Sequence, residues 1–262
     1  MRKILYLLTG VMALAACSRE PLTVCFTTYN VGAFGKYTDN STAMVAAMMH
    51  ELGAGAIGVN EIDSVTFRKE GHDQLREFAE ALGEGWDYNF SRAMPYSGGA
   101  YGIGTLVSPE FKAISKHTVA LPRCDGSEPR ALSVIETEEF VVAATHLDHM
   151  SDSAQLVQAA TITSWMKERY GDSSKPVVLM GDFNATPDSE TLALMREDWN
   201  IVSPEEFSFP SRGADICIDY IMLLCNGAEY EVLDSHVVTA LESGSVADAS
   251  DHLPVYARIT LK

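Results

Sequence analysis

The stretch VVLMGDFNATPDS, residues 177–189, decides how this chain is read. Its apolar run Val177–Met180 has the length and branched residues of a buried strand. The strand then meets an acid and an amide two positions apart, Asp182 and Asn184, followed by a loop. Side chains two apart on an extended segment leave the same face. The spacing therefore predicts two oxygens converging just beyond a sheet, which is half of a polar site.

Outward from that stretch, alternation and short apolar runs predict strands over 23–30, 56–60, 86–90, 103–107, 113–121, 131–136, 140–146, 216–224, 230–239 and 254–261. Helical spacing predicts helices over 41–52, 72–82, 151–170 and 189–196. The stripe Met44, Val45, Met48, Met49 and Leu52 reads as core. Leu75, Phe78, Ala79 and Leu82 form a second such face, and Leu156, Ala159, Ala160, Thr163 and Met166 a third. Strands and helices mix without strict alternation, which implies an α/β protein with mixed sheets rather than a barrel or a simple doubly wound sheet.

Polar residues recur where these strands end. Asn30 closes TTYNVG, Glu61 stands in GVNEID, His146 in AATHLDH, and Asp251 and His252 in ASDHLPVY. Singly, each has a structural reading as a turn residue, a cap or a satisfied surface histidine. Asp219, within the apolar CIDYIML, is costlier to bury and requires a cation or histidine partner. Together they gather where open α/β sheets place their sites. Carboxylates and amides are hard oxygen donors suited to Mg²⁺ or Mn²⁺. With the histidines left for proton or phosphate work, the set suits attack of water on a phosphoryl group.

The bulk numbers bound this reading. The 262 residues are 47% hydrophobic and 21% charged, an ordinary globular composition. No repeat or linker divides them, so residues 17–262 read as one domain. Residues 1–16, with Arg2, Lys3 and an apolar run ending in LAAC, read as a lipoprotein signal peptide. Leu14-Ala15-Ala16-Cys17 resembles a bacterial lipobox that would lipidate Cys17 and anchor the chain to a membrane. An ordinary secretory signal is the alternative. Either exports the protein, to the outer membrane or periplasm in the lipoprotein case. Cys25, Cys124, Cys217 and Cys225 then allow three full disulfide pairings or remain buried thiols; without a C-x-x-C spacing a thiolate zinc site is not expected. A formal net charge of −17 argues against a partner that needs a positive face, nucleic acid above all. No protein partner is implied.

YNVG, NE, YGIGTLVS, THLDH, GDFNATPDS, IDYIML and SDHLPV, from Tyr29 to Val255, resemble the endonuclease/exonuclease/phosphatase superfamily in residue type and order. The resemblance implies a four-layer α/β/β/α sandwich with two packed mixed sheets. It also implies a metal-dependent hydrolase of phosphoester bonds using Mg²⁺, or Mn²⁺. Carried over, Glu61 is similar to the principal metal ligand, with Asn30 and Asp251 near it. Asp182 and Asn184 are similar to the pair that holds water and phosphate, His252 to the imidazole beside the scissile phosphate, and Asp219 to the carboxylate that orients it. His146 is similar to a second histidine that donates to phosphate or protonates the leaving group. Either Asp182 or His252 serves as the general base.

Tyr101 in GAYGIG reads as a phosphate contact or as strand packing, and Arg130 as a phosphate-binding guanidinium or a structural ion pair. His149 reads as a solvated loop residue, and MPYSGGAYG, residues 94–102, as a mobile rim that shapes substrate choice. A phosphodiester with a small-molecule or phospholipid headgroup is the preferred substrate class. A secreted nuclease is the alternative, and an inactive surface binding protein a remote one. THLDH lacks the upstream histidine of metallo-β-lactamases, Ala144 standing there, and no G-N-H-[DE] of calcineurin-like phosphatases occurs.

Overall fold

The computed structural model describes residues 21–262. The signal peptide expected over residues 1–16 and the lipidation expected at Cys17 lie outside the described residues. The first half of the chain runs β1 (Leu22–Asn30), α1 (Thr42–Leu52), β2 (Ala56–Ser64), α2 (Gln74–Leu82), β3 (Asp87–Tyr96), β4 (Gly99–Val107), β5 (Ala113–Leu121) and β6 (Arg130–Thr137). The second runs β7 (Val141–His146), α3 (Asp152–Tyr170), β8 (Val177–Asp182), α4 (Glu190–Met195), β9 (Trp199–Ile201), β10 (Asp219–Leu224), β11 (Tyr230–Val237), α5 (Val246–Ala249) and β12 (Val255–Leu261).

Two six-stranded mixed sheets result, ordered β11-β12-β1-β2-β4-β3 and β5-β6-β7-β8-β10-β9. Each has one parallel pair at its centre, β1 with β2 and β7 with β8; every other pairing is antiparallel. The strand β8 shows how the layers form. Val178 and Met180 pack in the core shared with the first sheet, whereas Val177 and Leu179 join the cluster beneath α3 and α4. Burial on both faces explains its unbroken apolar run. Gly58 on β2 permits the sheets to approach, since a Cβ there would stand 2.7 Å from Met180 Cγ.

Helix ends follow the capping residues. Asp73, Ser151 and Ser189 accept bonds from backbone N–H groups in the first turns of α2, α3 and α4, and Gly53 closes α1 in the left-handed conformation. The inner face of α3 differs from the expected stripe. Ala154, Gln155, Gln158, Ala159, Ile162 and Met166 are buried, whereas Ala160 is exposed. Two glutamines enter that face because buried loop backbone groups bond to them.

Further differences matter for the site. Residues 94–102 form the tip of a hairpin: after a register shift between Arg92 and Met94, Met94, Pro95 and Tyr96 pair with Tyr101, Ala100 and Gly99. The strand carrying Glu61 does not stop there but runs to Ser64, with a register shift between Val59 and Ile62 and Glu61 at φ 60°. Asp219 opens β10 rather than interrupting it. Among the described residues no disulfide forms: Cys25 and Cys217 are buried free thiols, whereas Cys124 and Cys225, expected to be buried if unpaired, are exposed. Among the described residues no helix is long and apolar enough to cross a membrane.

Candidate active site

Parallel pairing delivers the polar strand ends in register. Asn30, at the end of β1, stands beside Asn60 midway along β2, and His146 beside Asp182 at the ends of β7 and β8. Antiparallel β10 adds Asp219 opposite Asp182. Asn60 locks the sheets together: its Nδ2 donates to Thr145 O at 2.7 Å and its Oδ1 accepts from Asp182 N at 3.2 Å. It was not among the expected site residues. A polar residue inside the apolar run AIGVNE is the signal that would have found it.

The centre of the cluster is one oxygen. Asp182 Oδ2 accepts from Asn30 Nδ2 at 3.0 Å and lies 3.4 Å from His146 Nε2 and 3.6 Å from His252 Nε2. Asn30 Nδ2 also donates to Glu61 Oε1 at 3.2 Å, while its Oδ1 is occupied by Gly32 N–H. Asn30 thus turns its nitrogen to the acids and joins Glu61 to Asp182. His252 Nδ1 meets Asp219 Oδ2 at 2.8 Å, and Ser208 Oγ donates to that oxygen at 2.6 Å. The Phe209 ring lies 4.7 Å from the imidazole. Ser208 and Phe209 carry no local pattern that marks them in the sequence.

Burial and charge set the protonation of these groups. Burial works against the imidazolium of His252, but Asp219 and Asp182 outweigh it and raise its pKa. Burial pushes the Asp182 carboxyl up, His252 draws it down and Asp219 pushes it up again; the result is raised. His146 lies well below an ordinary histidine, first through burial and then through Arg130. Among the described residues its buried Nδ1 has no partner, and neither has Asp219 Oδ1.

Other expected residues occupy different places. Asn184 lies beyond the strand at φ 48°, and its Nδ2 donates to Leu147 O at 3.1 Å. The convergence expected from strand spacing therefore fails for its side chain, although its N–H donates to Asp182 Oδ1 at 2.9 Å. Asp251 forms an ion pair with Lys36 at 2.7 Å. Arg130, 3% exposed, is 3.4 Å from Glu128 and 3.1 Å from His149 Nδ1, and its buried Nε has no partner among the described residues. His149 is exposed, yet it also meets Ser127 Oγ at 3.2 Å rather than solvent alone. Tyr101 is buried at the strand start against Tyr96.

Asp148 and the α3 glutamines anchor the loops that carry the site. The Asp148 carboxylate accepts from Met150 N, Ser151 N, Ser127 N and Ser127 Oγ at 2.7–3.0 Å. Gln155 Nε2 donates to Asp148 O and Asn184 O, and Gln158 Oε1 accepts from Asp148 N. Asp182, Asp219 and His252 each bring a ligand-type atom within 4.8 Å of the others, a group able to hold a metal ion. Asp219 Oδ2 is already bonded to His252 Nδ1 and Ser208 Oγ, whereas Glu61 and Asp251 are carboxylates only partly buried, Asp251 being paired with Lys36; carboxylate oxygens of this kind suit a hard divalent cation.

The sequence profile of the Endonuclease/Exonuclease/phosphatase family matches residues 27–252. No curated protein matches the chain. Among solved structures, the fold is similar to that of the Bacteroides thetaiotaomicron VPI-5482 mannosyl-6-phosphatase Bt3783, with 18% identity, 90% of this chain and 99% of that one covered, and a TM-score of 0.73. It is similar to ANGEL2, a 2',3'-cyclic phosphatase, with 16% identity, 92% and 95% covered and a TM-score of 0.71. It is also similar to the human Nocturnin catalytic domain with bound sulfate anion, at 17% identity, 94% and 95% coverage and a TM-score of 0.70.

Proposed function

The chain belongs to the endonuclease/exonuclease/phosphatase family, and from that premise we propose that it is a divalent-metal-dependent phosphoesterase that directs water at phosphorus. The observation that carries this reading is the shared Asp182 Oδ2, with Asn30 and two histidines around it and Asp219 behind one of them. Asp182, with its raised pKa, is the base that takes a proton from water. His252, held protonated by Asp219 and Asp182, donates to a phosphate oxygen. His146, held neutral, donates a hydrogen bond without releasing a proton. A Mg²⁺ or Mn²⁺ ion, for which Glu61 and Asp251 are the ligands that fit, supplies charge neutralisation at the phosphate when bound.

Phosphodiesters of small alcohols or phospholipid headgroups are the proposed substrates, in preference to polynucleotides. The chain is strongly acidic, and the cations Lys36, Arg68 and Arg130 near the cluster are engaged by Asp251, Asp63 and Glu128. Such a surface offers little to a phosphate backbone. Two neighbours in fold are named as phosphatases, one for a mannosyl-6-phosphate and one for a 2',3'-cyclic phosphate. Location in the cell envelope through a lipidated Cys17 is part of the same proposal.

The test is turnover by the chain from residue 18 onward with Mg²⁺, with Mn²⁺ and with EDTA. Its substrates are a chromogenic phosphodiester and monoester, sphingomyelin, inositol phosphates and plasmid DNA. Activity that EDTA removes and His252→Ala loses is expected. Preference for DNA would replace the small-substrate reading, and full activity in the variant would overturn the site assignment.

A further inference from the structure

Asn30 leads into the segment VGAFGKYTDN, residues 31–40, which turns back before α1. Gly32, Ala33 and Phe34 follow one another at φ 51°, 54° and 47°. Left-handed backbone at two consecutive non-glycine residues is costly and persists only where the surroundings hold it. They do here. Ala33 O accepts from Gln74 Nε2 at 2.6 Å, and Phe34 O from Ser41 N at 2.9 Å. Thr38 Oγ1 donates to Asp248 O at 3.0 Å and Ser41 Oγ to Ala249 O at 3.1 Å. Arg212, whose Nε donates to Ala247 O, lies 4.1 Å from the centre of the Tyr37 ring. The turn is thus fastened to α5, and Asp251 follows α5 closely in the chain.

The side chain that this arrangement delivers is Lys36. Its Nζ meets Asp251 Oδ2 at 2.7 Å, and its charge also interacts with Glu61. Gly32 permits the approach, since a Cβ there would stand 3.1 Å from Lys36 Cβ and 3.6 Å from Asp251 Oδ1. The Lys36 stem and the Asp251 carboxylate both lie over its bare Cα. An ion pair between two freely moving surface side chains contributes little. This one joins two segments that are bonded to each other, and its Asp251 partner is only 15% exposed. The two acids that the ammonium addresses are the two that fit a divalent ion.

We propose that Lys36 is a built-in counter-cation of the metal site: its ammonium shares Asp251 and Glu61 with the divalent ion and weakens the ion's binding. The site then fills only at higher concentrations of Mg²⁺ or Mn²⁺ than its oxygen donors alone would require. The physical cause is repulsion between like charges gathered around the same carboxylates, with competition for Asp251 Oδ2 added to it. This inference rests on the reading of Glu61 and Asp251 as metal ligands and deepens it by naming what sets their affinity.

The test is Mn²⁺ binding to the purified protein, read by calorimetry with no substrate present, on variants that thermal unfolding shows to be folded. Lys36→Met should lower the Kd about ten-fold. Lys36→Gln, which keeps a polar head without the charge, should do the same, and Lys36→Arg should hold the wild-type value. In an Asp251→Asn background the tightening should shrink, because the two side chains act through one contact. An unchanged Kd in Lys36→Met and Lys36→Gln, with wild type still binding Mn²⁺, overturns the role of Lys36 alone. A raised Kd also overturns it and makes the lysine a positioning group for Asp251. If neither wild type nor any Lys36 variant binds Mn²⁺, the metal-site reading falls and the proposal with it.

Discussion

His146 and His252 flank the same carboxylate oxygen at nearly the same distance, and both are buried, yet the two sides of the cleft charge them in opposite senses. On the His252 side, burial disfavours the imidazolium, but Asp219 and Asp182 outweigh it. On the His146 side, burial acts in the same direction and is reinforced by Arg130 and by His252 itself, and no anion among the described residues meets Nδ1. Residue type does not decide the charge. Burial disfavours it at both rings and prevails at His146, with Arg130 reinforcing it, whereas the carboxylates around His252 overturn it. One positive and one neutral imidazole around one acid is an arrangement that can hold phosphate and still leave a base free.

The comparison breaks most completely at His252. Replacing it with alanine should lower turnover about 10²–10⁴-fold, read by phosphoester assay in Mg²⁺; retained activity would mean that the charged ring has no part in the reaction. Asp219→Asn should make His252 resemble His146. Its imidazole resonance should titrate at lower pH than in wild type, and activity should fall about 10–100-fold, as for loss of a group that orients another. An unshifted titration would remove Asp219 as the cause of the charge.

The His146 side depends on Asp148 for its shape. Burial pushes the Asp148 carboxyl up, but bonds from Met150, Ser127 and Glu128 outweigh it and hold it below the ordinary value. A depressed carboxyl contributes stability above its unfolded pKa of about 3.9 and loses it as pH falls through the folded value. Asp148→Asn should therefore cost about 1–3 kcal/mol at neutral pH, and its Tm should converge with wild type in acid. A gap independent of pH would show that shape rather than charge was lost.

Arg130→Met sharpens the comparison from the other side. His146 should titrate higher than in wild type yet remain below an ordinary histidine, because burial is the larger cause. NMR of the two imidazoles would show whether His252 stays unmoved. The smallest effect belongs to Lys36, whose side chain is nearly half exposed where it meets Asp251. Lys36→Met should change stability by only about 0–1 kcal/mol in thermal or urea unfolding; a larger loss would make the pair structural.

Most strands and helices were legible because burial writes a local period into the chain. The buried run Val177–Met180 and the face Leu75, Phe78, Ala79 and Leu82 both state their surroundings within a few residues. Asn30, His146, Asp182, Asp219 and His252 were legible as polar exceptions to that period, and the fold brings them together. Short elements such as β9 and α5 fell below any periodic signal.

What the sequence by itself determined is the chemical inventory: which acids, amides and imidazoles stand near strand ends, and the family pattern they resemble. Tertiary structure alone decided what each one faces. Asn30 presents nitrogen rather than oxygen, Asn184 bonds to Leu147 instead of joining Asp182, Asn60 ties the two sheets, and Gln155 and Gln158 hold the site loops from a helix face that should be apolar. The physical reason is that hydrogen bonding and electrostatics depend on distances of a few ångströms between segments far apart in the chain. His252 and Asp219 are separated by 33 residues and Asn60 and Asp182 by 122. Residue spacing carries the first kind of information, and only the packed sheets create the second.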